Sequence, residues 1–66
     1  QPAFAGSDRQ MRGRVLRLLV EGPRSPTRLG RELGASGERV RTILNGLERD
    51  GLITAEDRRY ALSAGE

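Results

Sequence analysis

An α+β fold, three helices followed by a short β-hairpin, is what this chain of 66 residues predicts. Three observations carry the expectation: apolar residues at helical spacing in three successive segments, glycine or proline punctuation between them, and a change of period after Gly51. A chain this short buries only about 60% of the surface it exposes when unfolded. One small domain is therefore expected, without a deep catalytic cavity.

Gln1 to Gly6 has the composition of an incoming linker, with Phe4 as a possible anchor on the domain. The domain itself is expected over 7–63, and 64–66 is a polar tail. Because the chain starts at Gln1 and not Met, it reads as a piece of a longer protein. Ser7 opens the first helix, with Gln10 at the spacing of a capping box. Met11, Val15, Leu18 and Leu19 form an apolar stripe that Leu16 and Val20 widen. Gly13 costs that helix about 1 kcal/mol relative to Ala, and close packing is the one account the sequence offers. Gly22, as a left-handed cap, and Pro23 end the helix.

Ser25-Pro26 starts a second helix at once, with Ser as N-cap and Pro where its missing N–H costs nothing. It carries Leu29 and Leu33 and ends at Gly34. Ala35 and Ser36 make a tight turn, Ser36 capping a third helix. There Val40, Ile43, Leu44 and Leu47 fall at i, i+3, i+4 and i+7, one face of an α-helix. Asp50-Gly51 terminates it. Residues Leu52 to Glu56 and Arg59 to Ser63 then read as two strands around an Asp57-Arg58 corner, with Tyr60 and Leu62 on one side.

The chemistry available is narrow. The absence of Cys and His removes thiol nucleophiles, disulfides, imidazole or thiolate metal sites and the usual general base. No enzyme activity and no cofactor or metal is expected of this chain. All 12 basic residues are Arg, against 9 acids, for a net charge of +3 and an isoelectric point near 11.0. Guanidinium is always charged and forks onto phosphate, so an anionic partner is expected. No apolar run is long enough to span a membrane, and no signal-peptide pattern is read at the start. A cytoplasmic location is expected.

The segment LGRELGASGERVRTILNGLERDGLI, 25 residues from Leu29 to Ile53, resembles the helix-turn-helix of winged-helix DNA-binding proteins. The resemblance implies that the third helix enters the major groove and the hairpin is a wing. With the Val40-to-Leu47 stripe inward, the outward row is Glu38, Arg41, Thr42, Asn45 and Arg49, with Ser36, Gly37 and Arg39 around its N-terminal end. Arg39 or Arg41 suits phosphate, while Arg, Asn and Thr reach base edges. Glu38 either accepts from a cytosine amino group or favours the helix dipole. Arg58 and Arg59 suit a phosphate or minor groove at the wing tip, and Arg24 and Arg28 are further backbone contacts. On the first helix, Arg9, Arg12, Arg14 and Arg17 read as a solvated face, with Arg17 pairing to Glu21. Phe4 and Tyr60 are the only aromatics, too few for a single-strand stacking platform. Tyr60 is assigned to the core and double-stranded DNA is the expected partner.

A more specific phrase lies at the start. Phe4, Gly6, Ser7, Asp8, Arg9, Gln10, Arg12, Gly13 and Arg14, with Asp50-Gly51-Leu52 and Tyr60-Ala61-Leu62 at the far end, resemble the region after the iron-sulfur cluster of A/G-specific adenine DNA glycosylases from archaea and high-GC bacteria. That resemblance implies an accessory C-terminal domain of a base-excision repair enzyme, with a catalytic domain elsewhere in the parent chain. The family's catalytic acids and cluster cysteines have no counterpart here. The alternative is the DNA-binding domain of a winged-helix transcriptional regulator. A protein-binding winged helix, or a three-helix bundle with a stabilising hairpin, is a third class, against which the outward Arg row speaks.

Overall fold

Three serines set the starts of the three helices. In the computed structural model, which describes residues 7–63, α1 runs Asp8–Val20, α2 Pro26–Leu33 and α3 Gly37–Arg49, followed by β1 Ile53–Glu56 and β2 Arg59–Leu62. The linker, its Phe4 anchor and the tail lie outside the described residues. Ser7 Oγ accepts from Gln10 N at 3.2 Å while Ser7 N donates to Gln10 Oε1 at 3.1 Å, the reciprocal pair expected of a capping box. Ser25 and Ser36 accept from Arg28 N and Arg39 N, each at 3.1 Å. Each such cap contributes about 1 kcal/mol. Gly34, at φ 69°, closes α2 in the left-handed conformation. At the end of α3, Leu52 N donates to Leu47 O and Gly51 N to Glu48 O, both at 3.0 Å, with Gly51 at φ 80°. This is a Schellman closure, and it turns the chain directly into the hairpin.

The core is assembled from the three helices and β1. Met11, Val15 and Leu19 come from α1, Leu29 and Leu33 from α2, Val40, Ile43, Leu44 and Leu47 from α3, and Ile53 from β1. Leu47 has no exposed surface, and deleting a side chain so enclosed costs about 2–5 kcal/mol. Tyr60 packs against this cluster, as do Leu16 and Leu18. Gly30, buried in α2, sets the spacing of the helix-turn-helix. A Cβ there would meet Ala35 O at 3.2 Å and Val40 Cγ2 at 3.6 Å.

The strands pair antiparallel with Ile53 opposite Leu62 and Glu56 opposite Arg59, leaving a two-residue loop of Asp57 and Arg58. Both loop residues have positive φ, 53° and 66°, the signature of a type I′ turn matched to strand twist. The base of the wing is closed by Ser63, whose N donates to Leu52 O at 3.0 Å and whose Oγ donates to Gly51 O at 2.8 Å. Arg24, in the α1–α2 connection, forms an isolated antiparallel bridge to Tyr60.

Three expectations are corrected. Val20 does not widen the buried stripe: it is 69% exposed, because the helix has rotated past the core by its last residue. Gly13 is not closely packed, since a Cβ built on it meets nothing within 4 Å. Gly22 does follow the Glu21 C-cap of α1 at a positive φ, 145°, and its N donates to Leu19 O at 3.1 Å. The pairing of Arg17 with Glu21 does not form. Glu21 is held by Arg24 instead, three residues on and closer to the body of the domain.

Candidate nucleic-acid interface

The residues expected to meet DNA fall into an exposed group and a paired group. With Val40, Ile43, Leu44 and Leu47 buried, helical geometry turns Glu38, Arg41, Thr42, Asn45 and Arg49 outward, and all five are exposed. The row from 38 to 49 extends about 16 Å along the helix at about 1.5 Å per residue. Arg41 makes no ion pair among the described residues. The Thr42 hydroxyl donates to Glu38 O at 3.1 Å, so its proton is committed to the helix. What it offers outward is a methyl group and oxygen lone pairs. Asn45 keeps both a donor and an acceptor for a partner.

Arg58 and Arg59 stand exposed at the wing tip. Arg58 occupies the second loop position of the turn at φ 66°, where Gly after Asp is the favoured residue. A left-handed conformation costs a residue with a Cβ about 1–2 kcal/mol. The sequence pattern located the corner but not this strain.

The remaining predicted residues are engaged with protein. Ser36 Oγ caps α3. Arg39 lies half-buried at the edge of the row, and its Nη2 donates to Asp8 Oδ1 at 3.0 Å. Arg28 Nε donates to Glu32 Oε2 at 3.1 Å, one turn along α2. Its side chain is 60% exposed, which leaves the other guanidinium edge accessible. Arg24 differs from all of these. Its side chain is only 11% exposed and lies 3.2 Å from Glu21 Oε1 and 3.3 Å from Glu32 Oε1. The Arg24 Nε is buried without a hydrogen bond of good geometry, so the pair to Glu32 is charge attraction more than a directed bond.

A second set of pairs fixes the back of α3. Asp8, in the first turn of α1, holds Arg39 at the start of α3, while Arg12 holds Asp50 at its end. Exposed pairs of this kind contribute about 0–1 kcal/mol each. Their effect is on orientation, since two residues one turn apart on α1 hold the first turn of α3 and the cap at its far end.

No protein-family model matches this chain, and no curated protein matches it in sequence. Among solved structures it is similar to Lactococcus lactis ZitR, with a TM-score of 0.78, 18% identity and 97% of this chain covered. The match spans 45% of the ZitR chain. ZitR is a winged-helix protein, so the three helices and hairpin described above are a winged helix. The likeness extends to nearly every described residue and concerns the fold alone.

Proposed function

We propose that this chain is a duplex-DNA-binding winged-helix module, and that its parent is a transcriptional regulator. The observation that carries the reading is the outward face of α3, where Arg41, Thr42 and Asn45 are exposed and free of the core, together with the exposed Arg58 and Arg59 at the wing tip. A major groove about 12 Å wide admits one helix, and α3 is the helix whose solvent face carries base-reading side chains. Arg41, Arg58 and Arg59 act on phosphates, as does the open edge of Arg28. Ser36 and Arg39 place the N-terminus of α3 against the backbone. Thr42 and Asn45 meet base edges. Arg24 acts indirectly, by holding β2 of the wing through its backbone bridge to Tyr60.

The regulator reading is favoured over an accessory domain of an adenine glycosylase by the likeness to ZitR, itself a winged-helix transcriptional regulator. The glycosylase reading is supported by the phrase from Phe4 to Arg14.

Fluorescence anisotropy on duplex DNA across a salt series tests the proposal. Four phosphate contacts correspond to a slope of log affinity against log salt of about −3.6. A slope near zero, or no binding at low salt, overturns it. Selection from a random duplex pool separates the two parents. A regulator enriches a defined site, whereas a repair module prefers a duplex carrying the 8-oxoguanine·adenine mismatch.

A further inference from the structure

We propose that the groove between α1 and α2 docks an acidic segment of a protein partner through one large apolar side chain. The groove has a volume of about 210 Å³ and is lined by Arg14, Arg17, Leu18, Glu32 and Leu33. Small-molecule sites run to roughly 300–1,000 Å³, so this one holds a side chain and not a whole ligand. Leu18 and Leu33 supply the apolar surface.

Charge selects the occupant. Glu32 lines this groove, and Glu21 stands four residues beyond Arg17 in the sequence. Arg24 takes both, at 3.2 and 3.3 Å, and Arg28 takes the second oxygen of Glu32 at 3.1 Å. Arg14 and Arg17 are therefore left exposed with no ion pair or hydrogen bond among the described residues. An anion that brings its own apolar anchor completes the groove. A nucleic acid is disfavoured on chemistry: a duplex backbone brings phosphate charge but no apolar side chain to set on Leu18 and Leu33. The proposal is independent of the DNA reading.

The probe is a short fluorescein-labelled peptide of Asp and Glu around one central Phe, titrated with the full chain by anisotropy and mapped on ¹⁵N-labelled protein. Saturable binding is expected, with shifts centred on Arg14, Arg17, Leu18 and Leu33. The double variant Arg14→Glu/Arg17→Glu alters exposed, unpaired residues, and circular dichroism checks that it stays folded. It should weaken the peptide by about tenfold or more, a larger loss than duplex binding suffers from the drop in overall positive charge. The same peptide with Ala in place of Phe should also bind more weakly, since the anchor is lost. Absence of binding, equal binding of the two peptides, an unaffected variant, or shifts centred on α3 and the wing overturn the proposal. Duplex DNA that moves the Arg14 and Arg17 signals assigns the groove to nucleic acid, and overturns it as well.

Discussion

Arg24 and Tyr60 exchange both backbone hydrogen bonds, Arg24 N to Tyr60 O at 3.1 Å and Tyr60 N to Arg24 O at 2.9 Å. The α1–α2 connection thereby becomes a short third rung beside β2, and the wing is paired on both sides at its inner strand. The Arg24 side chain extends the same link to α2 through Glu32. Removal of Glu32 leaves a largely buried guanidinium with one exposed partner. We expect Glu32→Ala to cost about 1–3 kcal/mol in urea unfolding, the penalty for a largely buried charge that loses its less exposed counter-ion. Glu21→Ala, at a carboxylate 69% exposed, should cost under about 1 kcal/mol.

Arg58→Gly should separate stability from binding. Relief of the left-handed strain stabilises the turn by about 1 kcal/mol, which raises the midpoint of thermal unfolding by about 4–8 °C in a domain of this size. Loss of the wing-tip charge should meanwhile reduce the salt slope of duplex binding by about one unit. A variant that gains stability and keeps the slope would show that Arg58 does not meet phosphate.

Two helical glycines should respond with opposite sign. Gly13→Ala adds a Cβ into open space and gains about 1 kcal/mol of helix propensity. Gly30→Ala gains the same propensity but presses on Ala35 O, part of a turn fixed between the Gly34 closure and the Ser36 cap. Overpacking costs about 1–3 kcal/mol, so a net loss of about 1 kcal/mol is expected. Denaturant midpoints of the two variants measure both directly.

On the outward row, charge and reading should separate. Arg41→Ala is expected to lower the salt slope by about one unit and weaken all duplexes alike. Asn45→Ala should leave the slope unchanged and relax discrimination at one base pair by about 1–3 kcal/mol. Competition with single-base variants of a selected site reads the difference. A uniform loss in Asn45→Ala would place that residue on the backbone.

Local chemistry made most of the fold legible. Ser7, Ser25 and Ser36 each sit where one hydroxyl meets one backbone N–H three residues on, and the Val40-to-Leu47 stripe follows from helical periodicity alone. Gly34 and Gly51 mark positions that only a left-handed residue fills cheaply. Relationships across the fold were not legible. Arg24 stands beside an ordinary turn, and nothing in its neighbourhood announces Glu32 as a partner. Arg17 and Glu21 have the right spacing for a pair, yet a third residue competes for the carboxylate and wins by burial. The outward row was readable as the complement of the core stripe, whereas the strain at Arg58 required the backbone angles.

Only Asp57 and Arg58 lie beyond the last strand pair, so the wing has almost no slack. Its backbone is already ordered before any partner arrives, and recognition through the tip has side chains alone to immobilise, about 0.5–1.5 kcal/mol for each. A longer, looser wing would reach further but would lose more entropy in doing so. This one acts at short range as a preset stop, and it fixes how closely a surface can approach α3.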